Sequence, residues 1–329
     1  MIKYPPYEIT EKILEYVGKI SEKVGEIKAF EQLNRRPELR RANRINSIHS
    51  SLAIENNKLS KDEVKDVIEG KTVIGDKKDI QEVKNAYKAY NEISKINPFK
   101  IDELKRIHEI MTFLVIDDNG KFRDHGEAVY DGEEVIFMAP PEDMVDPLMK
   151  NLFEWVDEVK DKLNPLIYSS IFHYEFVFIH PFSDGNGRMA RLWQSVFLTK
   201  WRNIFEYIPI ESMIKKYQED YYKAISDCNL EGKSTKFIEF MLRMIDESLE
   251  NVRLTSNEDN NTVDLNDNEK EVYNYIKNNK SVTSNDVARY IGKTVRTARR
   301  ILSSLIEKEK IEWVGTSLKD KNLKYKTKD

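Results

Sequence analysis

Apolar residues recur at three- and four-residue spacing through most of the first 250 positions. EITEKILEYVGKISEKV (8–24) and IDELKRIHEIMTFLV (101–115) are the plainest cases. The spacing predicts amphipathic helices. Further helices are expected at 144–159, 165–179, 186–201, 211–228 and 235–249. Ser60 and Glu63 have capping-box spacing ahead of Val64, Val67 and Ile68, so a helix opens there. Asn97-Pro98 interrupts the pattern, and the run Asp117-Asp118-Asn119-Gly120 predicts a turn. At 126–138 the period changes: Ala128-Val129-Tyr130 and Val135-Ile136-Phe137 flank Asp131-Gly132, which predicts a short β-hairpin, and Pro140-Pro141 ends it.

A polar stretch at 251–268 carries no apolar period, and 251–266 is expected to be a linker. A smaller unit follows at 267–329. Its expected order is a helix around Val272, Tyr275 and Ile276, then a second helix capped at 283–286 and running through Ile291. A turn at Gly292, a third helix at 294–309, and two strands at 311–314 and 323–326 complete it.

Composition changes this picture little. The 329 residues are 40% hydrophobic and 33% charged, enough chain for two domains without disulfide staples. The single cysteine, Cys228, fits a reducing compartment. The first residues carry charges and prolines in place of a signal peptide's apolar core, and no run approaches ~18 apolar residues. A cytoplasmic protein with no membrane partner is expected. Net charge is −4, but its distribution is uneven: 281–329 holds 12 Lys and Arg against 6 Asp and Glu, which leaves 41 against 51 elsewhere. A basic tail follows an acidic body.

Candidate chemistry concentrates in IHPFSDGNGRMARL (179–192), where a His, an acid, an Asn, two Gly and two Arg interrupt an apolar run. A lone His beside Pro is usually structural, a lone Gly-x-Gly is a turn, and a lone Arg pair is a solvated face. Together they read as an anion and metal site. Gly185 and Gly187 let the backbone approach a phosphate, and the next helix begins where its free N–H groups face that anion. Asp184 is a hard oxygen ligand for Mg²⁺ on a nucleotide. Arg188 and Arg191, three apart on one helix, have forks that suit phosphate oxygens.

HPFSDGNGRMAR resembles the signature of the Fic family, with every fixed position of that pattern met, and FHYEFVFI resembles the helix before it. The resemblance covers 1–250. It implies a mostly α fold: a Fic-type helical domain with a β-hairpin flap, followed here by a small winged helix-turn-helix domain. The body then divides into an N-terminal helical region (1–95) and a catalytic core (96–250). The implied activity is AMP transfer from ATP to a protein hydroxyl. In that scheme His180 is the general base, Asp184 holds Mg²⁺, Phe182 anchors the loop, and Gly185, Asn186 and Gly187 cradle phosphates. Arg188 binds the β-phosphate region and Arg191 the γ-phosphate. Family members that act as kinases carry Lys where Gly187 stands, so Gly187 favours AMP transfer. The hairpin would hold a target segment as an added strand. Tyr222, Ile225 and Asn229, after Tyr221, are candidates for the adenine pocket.

Ser51 and Glu55, four apart on one helix face, resemble the family's inhibitory motif Ser/Thr-x-x-x-Glu-Gly/Asn. The resemblance implies that Glu55 pairs with Arg191 and blocks productive ATP binding. In some relatives the same Glu supports AMP removal, so a deadenylylating enzyme stays open. So does a nucleotide-sensing, DNA-binding regulator, because the tail resembles a winged helix. Thr294, Arg296, Thr297, Arg299 and Arg300 would lie on its recognition helix, with Lys319, Lys321, Lys324 and Lys326 on the wing. Oligomeric state stays open, a homodimer included.

Overall fold

Helices dominate, as the apolar period requires. The computed structural model describes residues 4–25, 37–131, 134–260, 265–315 and 323–328. The chain divides into two units, Met1–Val252 and Arg253–Asp329.

In the first unit α1 is Glu11–Gly25, α2 Pro37–Ile54, α3 Lys61–Ile68, α4 Lys77–Tyr90 and α5 Ile101–Thr112. The antiparallel hairpin β1 (Ala128–Asp131) and β2 (Glu134–Met138) follows, with a register shift between Val129 and Tyr130. Its expected turn residue Gly132 lies outside the described residues. Then come α6 Glu142–Val159, α7 Pro165–Ile179, α8 Asn186–Trp201, α9 Ile210–Lys216, α10 Gln218–Glu231 and α11 Thr235–Asn260.

The core is built on α7 and α8. Both bury residues on every side, among them Ile171, Phe172 and Phe176 on α7 and Met189, Trp193 and Phe197 on α8. A helix apolar all round belongs in an interior. Asn164 caps α7 by accepting from the Leu166 N–H at 2.9 Å, and Pro165 occupies the first turn. His180, at φ 51° and ψ 60°, ends α7, and Gly185, at φ 85°, precedes α8. The loop 180–185 is therefore fixed at both ends by core helices.

The helix α2 differs from its neighbours by burying polar side chains. Ser47 donates to Glu211 at 2.8 Å, Tyr90 donates to the same carboxylate at 2.9 Å, and Ser50 lies 3.1 Å from the Ser212 hydroxyl. The capping box of Ser60 and Glu63 is present.

Two expectations change. The helix anticipated at 211–228 breaks at Tyr217 (φ −112°, ψ 40°) into α9 and α10. The expected linker does not begin at 251, because α11 continues to Asn260. Extending a helix that packing has already nucleated costs little, so it runs on where the apolar period has stopped.

In the second unit α12 is Asp267–Asn279, β3 Val282–Thr283, α13 Ser284–Tyr290, α14 Val295–Glu307, β4 Ile311–Val314 and β5 Lys324–Thr327. The sheet order is β3-β5-β4, antiparallel throughout. Asn266 with Glu269, and Thr283 with Asp286, form capping boxes. A separate core of Val272, Ile276, Val287, Leu302, Leu305 and Ile311 closes the unit. Three helices and a small sheet in this order are compatible with a winged helix. Lys319 and Lys321 lie outside the described residues. Among the described residues no helix is long and apolar enough to cross a membrane.

Candidate active site

Several side chains hold the loop between α7 and α8. Phe182 is fully buried and stacks on His108 of α5, with ring centroids 3.6 Å apart and planes 4° apart. Asn186 turns its amide back on the loop, accepting from the Phe182 N–H at 2.9 Å and donating to the Phe182 carbonyl at 2.6 Å. Arg123 donates to the carbonyls of His180, His125 and Pro140 at 2.8, 2.7 and 2.6 Å. Asn186 thus shapes the loop with both ends of its side chain.

His108 ties the loop to the turn at 117–120. Its Nδ1 accepts from the Gly120 N–H at 2.9 Å, so Nε2 carries the proton and donates to the Asp184 carbonyl at 3.0 Å. Burial pushes its pKa down to about 4, so the ring is neutral at pH 7. Sequence reading placed His108 on a helix and gave it no role; its contacts cross 76 residues of chain.

His180 is half-buried at the end of α7. Its Nδ1 lies 3.3 Å from the Val177 carbonyl, which only accepts, so Nδ1 bears the proton and Nε2 keeps a lone pair. Burial lowers its pKa from the ordinary imidazole value.

The two arginines have different surroundings. Arg191 is buried: Nε donates to the Ser51 hydroxyl at 3.1 Å, and Nη2 donates to the Ser51 carbonyl at 3.0 Å and to Glu55 Oε1 at 2.7 Å. Burial opposes its charge, but Glu55 outweighs that and raises the pKa. Its Nη1 is buried without a partner among the described residues. Arg188 is equally buried and stands between two carboxylates, with Nη1 at 2.9 Å from Glu82 and Nη2 at 2.7 Å from Asp184. Both arginines had been expected to reach phosphate, yet only Arg191 lines the cavity described next. Glu82 of α4 is absent from the sequence-based site because no motif flags it.

A cavity of about 300 Å³ opens beside the loop. Glu55, His180, Gly187, Arg191, Tyr222 and Asn229 all line it, so residues from 55 to 229 meet there. Phe137 of the hairpin and Ile225 of α10 complete its apolar wall. Tyr222 is half-exposed to the cavity, and Asn229 accepts from the Tyr174 hydroxyl at 2.9 Å. At Gly187 a Cβ would lie 2.3 Å from Glu55 Oε1. The carboxylate therefore sits against the N-terminus of α8, where the free N–H groups favour an anion.

Asp184 is 38% exposed at its side chain. Its Oδ1 accepts from the Gly185 N–H and from Arg188. Its Oδ2 is 4.0 Å from Lys78. Burial disfavours its charge, but Arg188, the Gly185 N–H and Lys78 together outweigh this and keep the pKa below the usual value. Among the described residues no group of three or more His, Cys, Asp or Glu converges on a metal position. One hard carboxylate beside an anion cradle suits Mg²⁺ that takes its other ligands from phosphates and water.

A sequence model of the Fic/DOC family matches residues 98–198. A solved Fic family protein from Desulfovibrio desulfuricans G20 has 35% identity and a TM-score of 0.75, over 99% of this chain and 98% of that one. The chain belongs to the Fic family. Curated relatives include Protein adenylyltransferase Fic of Nematostella vectensis, 25% identical over 62% of this chain and 47% of the relative. The same-named protein of Aedes aegypti is 29% identical over 63% and 41%. The Fic chain described here thus spans less than half the length of either curated relative. The mostly helical architecture is that of the Fic neighbour, and in both proteins the matching extends through the C-terminal unit.

Proposed function

We propose that this Fic protein transfers AMP from ATP to a hydroxyl side chain of a protein and is held at rest by Glu55. The observation that carries the reading is the convergence of His180, the Gly187 approach point and Arg191 on one cavity, with a carboxylate of the same chain seated against the last two. Family relatives named protein adenylyltransferase support it.

The geometry supports the following chemistry. The target hydroxyl oxygen attacks the α-phosphorus, the bond to the β-phosphate's bridging oxygen breaks, and pyrophosphate leaves. His180 Nε2, held free of a proton by the Val177 carbonyl on the opposite nitrogen, takes the hydroxyl proton. The N-terminus of α8 and the unpartnered Nη1 of Arg191 stabilise phosphate charge. Asp184 would hold Mg²⁺, which neutralises phosphate charge when bound. Tyr222, Ile225 and Asn229 form a base pocket with aromatic, aliphatic and amide surfaces. Glu55 competes with ATP because it takes the Arg191 Nη2 and the helix terminus that the γ-phosphate needs.

Incubation with labelled ATP and Mg²⁺, followed by mass spectrometry, tests the reading. Glu55→Gly should raise protein labelling and His180→Ala should abolish it. Equal labelling by the parent and both variants refutes it.

A second reading concerns the C-terminal unit. Arg296, Arg299 and Arg300 are exposed on α14, with no ion pair among the described residues, whereas Lys326 is paired with Glu312 at 2.9 Å. Uncompensated cations on one helix suit a polyanion, and we infer duplex DNA as the partner. The full chain should bind duplex DNA with an affinity that falls steeply with salt, and Arg299→Ala with Arg300→Ala should weaken it. No binding at low salt removes this reading.

A further inference from the structure

Arg188 is an arginine of the motif that does not line the nucleotide cavity. Both its terminal nitrogens go to carboxylates, which differ in exposure, Glu82 at 8% and Asp184 at 38%, while its Nε is buried without a partner among the described residues. The inner one, on α4, is held in turn. Glu82 Oε1 accepts from Arg188 at 2.9 Å and Oε2 accepts from Asn57 at 2.9 Å. Asn57 also donates to the Asp79 carbonyl at 3.2 Å, and Asp79 accepts from the Lys58 N–H at 3.2 Å. The carboxylate therefore has one orientation, and so does the arginine.

From this geometry we infer that Glu82 is a positioning residue for the cation site, acting on Asp184 through Arg188. The inference rests on the adenylyl-transfer reading, because it supposes that Asp184 meets Mg²⁺. Its basis is charge. Asp184 alone beside a buried Arg188 is a neutral pair with little attraction for a dication. Glu82 supplies a second negative charge to the same guanidinium, so the three groups together carry −1. That surplus is available at the exposed member, and Lys78, 4.0 Å from Asp184 Oδ2, is the nearby charge that works against it. Geometry adds to charge. Arg188 Nη2 and the Gly185 N–H occupy Oδ1 of Asp184, which leaves Oδ2 as the free ligand. A partner that fixes a ligand's orientation and basicity tunes a metal site without touching the metal.

The same contacts give the residue a regulatory neighbour. Asn57 follows Glu55 by two positions, so one short segment touches Arg191 directly and Arg188 by way of Glu82.

The test uses the full chain in the Glu55→Gly background and reads binding, not transfer. A fluorescent ATP analogue is titrated with EDTA and again across a Mg²⁺ series, for the background protein and for added Glu82→Gln and Glu82→Asp. With Glu82→Gln, Mg²⁺-free affinity should stay within about twofold of the background. The Mg²⁺ concentration for half-effect should rise roughly 10- to 100-fold, the range seen when a metal ligand's supporting partner is lost. Glu82→Asp keeps the charge and should lie nearer the background. An unchanged Mg²⁺ series for Glu82→Gln, or equal loss of binding with and without Mg²⁺, overturns the assignment and leaves Glu82 a strut between α4 and α8. If the Glu55→Gly background itself shows no Mg²⁺-dependent binding, the adenylyl-transfer reading falls and the Glu82 assignment with it.

Discussion

In the proposed reaction His180 is the base, and its neighbours decide which of its nitrogens carries the proton. The Val177 carbonyl accepts a hydrogen bond from Nδ1–H, and burial keeps the ring neutral at pH 7. The active form is the unprotonated one, so activity is lost as pH falls through the His180 pKa. In the Glu55→Gly variant, the acid limb of the kcat/KM profile should have its midpoint below that of a free imidazole, near 6.5. A midpoint above that value would show that burial does not control this ring. His108 makes a separate prediction about stability. Its folded pKa is depressed to about 4 from 6.5, so below pH 6.5 the unfolded chain binds a proton that the folded chain refuses. The stability is present above 6.5 and lost as pH falls to about 4, by roughly 3 kcal/mol for a shift of this size. His108→Ala should be less stable at pH 7 and should show a flatter dependence of Tm on pH between 6.5 and 4.

At the scale of elements, the proposed inhibition raises the question of how α2 would release Arg191. The helix is fastened along its length: Ser47 and Ser50 contact Glu211 and Ser212, and Lys215 donates to the Ala53 carbonyl at 2.9 Å. Withdrawing it would strand buried polar groups on both sides. Glu55 is the loosely held end, with its side chain 36% exposed. On the proposed inhibition, release should therefore belong to the Glu55 side chain and not to the helix. Glu55→Gly should raise transfer by roughly 5- to 150-fold, the range of a 1–3 kcal/mol coupling. The amides of 44–52 should keep parental hydrogen-exchange protection. Fast exchange there in the variant would mean that α2 comes away. Much of this was legible in the chain: Ser51-x-x-x-Glu55 and the 180–191 run are local patterns, and the resemblance to the Fic family implied the pairing of Glu55 with Arg191 that the structure has. The support was not legible. Glu82 meets Arg188 across 106 residues and His108 meets Asp184 across 76, and neither carries a local signature. Asn186 is expected from the resemblance to cradle phosphates, but its amide faces its own loop, a matter of rotamer that spacing does not encode. The extension of α11 past 251 was not legible for the opposite reason: Val252 still packs on the first core, but the polar stretch after it carries no apolar period and the helix continues by propagation.

At the scale of the whole molecule, two cores imply two stabilities. The first unit is centred on α7 and α8, and the second closes around residues such as Val272, Leu302 and Ile311. The second is small, and small domains bury a lesser fraction of their surface. Each core should therefore melt on its own terms, and calorimetry of the full chain should resolve two transitions. Leu302 is fully buried at the centre of the smaller core. Leu302→Ala should remove about 2–5 kcal/mol from that unit alone. The lower transition should then move by several degrees or vanish, while the upper one stays in place. In the Glu55→Gly background, the rate of AMP transfer should be unaffected by Leu302→Ala, since His180, Arg191 and Asp184 all draw their support from the first core. A single transition that shifts as a whole, or a fall in transfer matching the loss of the smaller unit, would show that the C-terminal unit is part of the enzyme's folding and not an appended module.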